Sequence, residues 1–136
     1  MDSSDVTAGT DATALSYNNL RKDVILAKGV PGTETDAATI TIDWSDKTKG
    51  KIRTVTIAGN RTIAFSNVTV GQFLILRVIQ GGSGSYTLTW PANISWPYGV
   101  VPTLSTAVGK IDWLVFYCKV AGATPTYDGF QSGTIM

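Results

Sequence analysis

The sequence predicts an all-β domain, an antiparallel β-sandwich or jelly-roll-like body preceded by a polar N-terminal arm and one short amphipathic helix. Three observations carry this. The stretch Ile52 to Gln80 reads as three short strands separated by turn signals. About eight such strands follow one another at the spacing of sandwich and barrel folds. Only one segment, at the N-terminal end, has helical periodicity.

The chain of 136 residues suits one domain. A chain of this length buries roughly two-thirds of its unfolded surface, so a core without staples is feasible. Charged residues are 15%, with 11 Lys and Arg against 10 Asp and Glu. Nucleic-acid affinity needs clustered positive charge, so no nucleic-acid partner is expected. No apolar run approaches the roughly 20 residues of a membrane span, so no membrane partner is expected either. The single cysteine, Cys118, lies in an apolar run and is expected to be a buried small hydrophobe. The chain has no histidine to act as its base. The N-terminus lacks the basic and apolar regions of a signal peptide. A soluble protein from a reducing compartment is expected.

Residues 1–12 are small and polar, an arm that a partner would have to order. Residues 13–29 form the helix. Thr13 is the N-cap, Asp11 places negative charge at the positive end of the dipole, and Gly29 and Pro31 end the segment. Tyr17, Leu20, Val24 and Ala27 follow spacings of three, four and three and form one stripe. Leu15, Ile25 and Leu26 widen the apolar surface of the helix. The stripe must be covered by the chain's own sheet, by copies of itself about a symmetry axis, or by another protein. Residues 30–36 are a linker, and 37–136 are the β domain.

Within that domain Thr39 to Trp44 alternates, with Ile40, Ile42 and Trp44 on one face. Ser45 to Gly50 is a turn of hairpin length. Arg53 to Ala58 alternates again, Gly59-Asn60 breaks the pattern, and Arg61 to Phe65 resumes it. Gln72 to Gln80 is nearly all apolar, which predicts burial on both faces. Gly81 to Gly84 is a loop, and Tyr86 to Trp90 alternates once more. Pro91 to Pro102 is too rich in proline for a central strand. Lys110 to Val120 and Thr126 to Gln131 complete the set. No internal repeat is evident.

Candidate chemistry is sparse. Three Asn-x-Ser/Thr triplets, at Asn60, Asn67 and Asn93, read as chance in a Thr-rich chain. Asp43 and Asp46 are the closest carboxylates in the β region, but Lys47 and Lys49 beside them mark a solvated turn rather than a glycosidase pair. Asp112 is expected on a solvent face or at an edge, with a buried carboxylate as the alternative. The sequence GGSG has no following helix and no Lys-Ser/Thr, so it is not a phosphate loop. Without histidine or paired cysteine, no metal and no cofactor is expected. Trp90, Trp96 and Tyr98 cluster among prolines. They either plug one end of the body, meet a partner molecule, or stack on sugar rings.

Two stretches carry a resemblance. Residues 12–25, ATALSYNNLRKDVI, resemble the (A/T)-x-x-YNNLRKD segment at the start of many small phage structural proteins. Residues 54–105 with KIDWLVFYC after them resemble a β-module of tailed-phage virion proteins, both tail-fibre-like and head-associated. The shared pattern is GNRTI-x-F, G-Q-x-L-x-L-x-x-x-Q, S-x-T-x-TWP, W-P, PTLS and D-x-L-x-F. Where that group's last strand often ends in a Tyr-rich, DGTN-like turn, this chain has GATPTYDGF. The resemblance implies a sandwich-type domain assembling as an oligomer, a homotrimer, on a phage particle built in the bacterial host cytoplasm. An enzyme such as a depolymerase is not expected, because the chain has no histidine and no credible carboxylate pair. A short chain read as complete fits a capsid decoration (cement) protein bound to the major capsid protein or another virion protein. Tyr17, Leu20 and Val24 would then anchor it, with Asn18, Asn19 and Arg21 as polar contacts. The alternative is a tail-fibre or baseplate module recognising a host surface glycan or protein through Trp90, Trp96 and Tyr98.

Overall fold

The computed structural model describes residues 31–135, and side-chain burial as far as Ser132. The expected arm, helix and first linker residue lie outside the described residues. Among the described residues there are nine strands: β1 (Gly32–Thr33), β2 (Thr39–Asp43), β3 (Ile52–Ile57), β4 (Arg61–Ser66), β5 (Phe73–Gln80), β6 (Leu88–Thr89), β7 (Ile94–Ser95), β8 (Ile111–Val120) and β9 (Thr126–Ile135). One 3-10 turn, Pro97–Gly99, lies between β7 and β8. The all-β class therefore holds. The segment read as a linker contributes β1.

The first six strands alternate between two sheets as the chain advances, and β7, β8 and β9 all join the larger one. One sheet has the order β1-β3-β5-β8-β9-β7, and the other β2-β4-β6. The first six strands thus wind as a coil, each strand lying parallel to the one before it in its own sheet. From Gly32 to its partner Arg53 is 21 residues, from Arg53 to Leu76 is 23, and from Arg61 to Leu88 is 27. Only β5–β8 and β8–β9 pair antiparallel. The expected antiparallel pairing is corrected, and with it the hairpin at residues 45–50. Parallel neighbours need a crossover of a dozen or more residues, and here a strand of the opposite sheet supplies it. The turn 45–50 carries the chain from one sheet to the other.

The two sheets share one core. Ile40 and Ile42 of β2 stack in register on Ile63 and Phe65 of β4. Facing them are Val55, Ile57, Leu74, Leu76, Val78, Leu114, Phe116, Cys118 and Tyr127. Thr39, Thr62 and Thr89 form an exposed rank on the opposite side of the smaller sheet. β5 departs from expectation. Leu74, Leu76, Val78 and Gln80 are buried, but Phe73, Ile75, Arg77 and Ile79 point to the other face and stay partly exposed. Its near-continuous apolar run reflects two faces of which the domain core covers one.

Polar side chains fasten the coil. Arg53 is fully buried at the corner after β2, its Nε 2.6 Å from the Gly50 carbonyl and an Nη 2.8 Å from the Asp43 carbonyl. Its other Nη pairs with Glu34, which Lys49 also holds at 2.9 Å. Gly84 has φ +75°, and any side chain there would collide with the Thr106 backbone. The loop is pinned at that point by the Ser85 N–H on the Thr106 carbonyl at 2.7 Å.

Candidate binding surface

Trp90 and Trp96 pack inward. Their rings lie 5.7 Å apart, and each meets Phe116, at 5.5 and 5.9 Å. Gly129 of β9 leaves room for the Trp96 ring, since any Cβ there would strike it. Tyr98 separates from this pair. It sits in the 3-10 turn with φ 57°, fully exposed, followed by exposed Val100 and Val101. The three aromatics therefore do not form one sugar-stacking platform. The anchor residues Tyr17, Asn18, Asn19, Leu20, Arg21 and Val24 lie outside the described residues.

Several polar positions of the recurring sequence pattern serve as fasteners. Asn60 Oδ1 accepts the Thr87 N–H at 2.9 Å, joining neighbouring coils. Arg61 makes a two-pronged pair with Asp36 at 2.7 and 2.8 Å. Gln72 donates to the Trp44 carbonyl at 2.8 Å and accepts from the Thr69 N–H. Gln80 is buried and clasps the Tyr86 backbone from both sides, at 2.8 and 3.1 Å. Asp112 is fully buried, correcting the expected solvent face. It accepts from the Ser105 N–H and hydroxyl, at 2.8 and 3.1 Å, and from the Gln131 amide at 3.1 Å. The inward phase of β8 dictates this, because Asp112 alternates with Trp113 in step with Leu114 and Phe116. Sequence reasoning saw the motif letters but not that they bond to one another.

Two hollows remain. One, of about 250 Å³, lies between Tyr86–Trp90 and Pro102–Thr106. The other, of about 260 Å³, lies beside Trp44, Asp46, Lys51 and Gln72. Both fall short of the usual ligand pocket of roughly 300 Å³ or more. Among the described residues no group of three His, Cys, Asp or Glu is placed to hold a metal ion. Asp43 and Asp46 each accept hydrogen bonds from residues two ahead, Ser45 and Thr48, and so cap their own turn.

These bonds set the pH response. The Arg61 guanidinium lowers the Asp36 carboxyl, the Ser45 hydroxyl lowers Asp43, and the Thr48 hydroxyl lowers Asp46. Stability from a lowered carboxyl is present above its unfolded value near 3.8 and lost as pH falls through the folded value. At the other end, burial pushes the Tyr127 phenol up to about 12 and raises the Cys118 thiol. Stability from a raised group is full below its unfolded value and drains as pH rises through the folded one. For Tyr127 this window runs from 10.0 to about 12, equivalent to about 2 to 3 kcal/mol. Thermal melts are expected to plateau from about pH 5 to 9 and to fall on both sides. Tyr127→Phe is expected to flatten the alkaline fall. An alkaline limb unchanged in that variant would contradict the assignment.

No family model, curated protein or solved structure matches this chain. No helix among the described residues is long and apolar enough to cross a membrane. The surface feature that sequence reasoning missed is the outer face of the six-stranded sheet. Phe73 and Tyr117 touch there with ring centres 4.8 Å apart, and the Arg77 guanidinium lies 5.8 Å over Trp113. Its only signal in the sequence was the unbroken hydrophobicity of β5 and β8.

Proposed function

We propose that this chain is a structural protein of a tailed-phage virion, a decoration (cement) protein that reinforces the capsid exterior by oligomeric contacts. Its two-sheet body, a sandwich wound as one coil, is the projecting part, and residues 1–29 are the attachment. One observation carries the reading. The polar pattern residues Asn60, Arg61, Gln72, Gln80, Ser105 and Asp112 are engaged in holding the coil together, while large apolar side chains remain on an outer face. That division suits a subunit that works by burying surface rather than by transforming a substrate. Many weak contacts on a repeating shell become strong through effective concentration.

Particles prepared without the protein test this. They are expected to release their genome at lower temperature than complete particles, and added purified protein is expected to restore the higher value. Equal release temperatures would contradict a reinforcing role. The second reading, a tail-fibre or baseplate receptor-binding module, draws on the full exposure of Tyr98 beside Val100 and Val101. It expects Tyr98→Ala to reduce host adsorption without changing particle stability.

A further inference from the structure

Among the described residues, the outer face of the six-stranded sheet is an unpartnered apolar surface. Phe73 faces Tyr117 across β5 and β8, Ile75 faces Val115, and Phe130 of β9 lies beyond Val115. None of these belongs to the core or packs against it. Phe73 is 51% exposed and Phe130 45%. Isolated exposed hydrophobes are ordinary, whereas a contiguous patch marks an interaction surface. The centre of the face also wants a polar partner. Thr54, Arg77 and Trp113 form one rank across β3, β5 and β8. Thr54 Oγ1 and Trp113 Nε1 are buried without a hydrogen-bond partner, and Arg77 has no carboxylate among the described residues. A cover for this face should therefore be apolar and should bring an acceptor.

We propose that residues 13–29 dock as a helix on this face of their own chain, with Tyr17, Leu20, Val24 and Ala27 turned toward the sheet. Geometry favours this occupant. Four Cα-to-Cα steps separate Lys28 from Gly32 of β1 and reach about 14 Å at most. β5 lies two strand spacings from β1, about 10 Å away. The seventeen residues 13–29 measure about 26 Å as a helix, matching the roughly 26 Å length of β5. At about 100° per residue, Asp23 falls beside the Leu20–Ala27 edge of the stripe and supplies the acceptor for Arg77 and Trp113. Asn19 and Lys22, with Leu15 and Leu26, turn away. That outward side is available to a virion partner, a clause that rests on the function proposed above; the docking itself does not.

The full chain carrying Tyr17→p-benzoylphenylalanine tests this. Light and ¹⁵N-labelled protein are mixed in equal amounts, irradiated in dilute solution, and the joined peptides mapped. Links to β5 or β8 peptides are expected, nearly all within one isotopic form. Hybrid light–heavy pairs approaching half would overturn the proposal in favour of a neighbouring copy. Links to other surfaces, or none, would overturn it outright. Phe73→Asp, at a half-exposed site that leaves the core intact, is expected to cut the yield at least about fivefold, because the stripe would then bury a charge. An unchanged yield would count against docking here. The isolated protein suffices, so failure of this test leaves the virion reading to its own experiment.

Discussion

Replacing Arg53 by alanine is expected to lower the unfolding free energy by about 3 to 5 kcal/mol, the usual cost of removing one partner of a buried ion pair. Arg53 is fully buried, and its guanidinium reaches the carbonyls of Gly50 and Asp43 and the carboxylate of Glu34. Alanine strands those acceptors and leaves Glu34, itself 5% exposed, with Lys49 alone. Much of the loss comes from buried acceptors left without a donor and from a buried Glu34 carboxylate reduced to one cation, so the double variant Arg53→Met with Glu34→Gln is expected to lose less than Arg53→Ala. Urea denaturation of the three proteins checks this. A loss under about 1 kcal/mol for Arg53→Ala would mean that the corner after β2 is held by something else.

Phe116→Ala carries the other large effect, also about 3 to 5 kcal/mol. Phe116 is fully buried where Phe65 of the smaller sheet, at 5.1 Å, meets Trp90 and Trp96. It joins both sheets to the irregular segment that follows β6. Removing the ring leaves a cavity that three large neighbours cannot close without breaking their own edge-on contacts. Phe116→Leu keeps most of the volume and is expected to cost under about 1.5 kcal/mol. Equal losses in the two variants would point to a strained rather than a well-filled site.

Much of the β body was legible because alternation is a local signal. Ile40 and Ile42, and Val55 and Ile57, declare themselves within five residues. Strand direction is not local. A period of two looks the same in parallel and antiparallel strands, so SDKTKG passed for a hairpin although it crosses between sheets around Arg53. The coil escaped notice as a repeat because its turns differ in length, at 21, 23 and 27 residues. Asp112 was misplaced for a related reason. Its carboxylate is satisfied by Ser105 and Gln131, one of them 19 residues away, and no local pattern announces such a partnership. Trp90, Trp96 and Tyr98 looked like one cluster because they are close in sequence. The reversal at Pro97–Gly99 sends the tryptophans inward and the tyrosine out. The apolar β5 run was read as double burial; it marks a face that the domain's own core does not cover.

Copy number in purified particles, by quantitative mass spectrometry against the major capsid protein, tests the proposed role most directly. A reinforcing coat acts through many repeated contacts. Roughly one copy per capsid subunit, or about one trimer per capsomer junction, is the expected result. A few copies per hundred capsid subunits, or none, would contradict it, and the low number would move the chain to a tail or vertex and make Tyr98 the next residue to test.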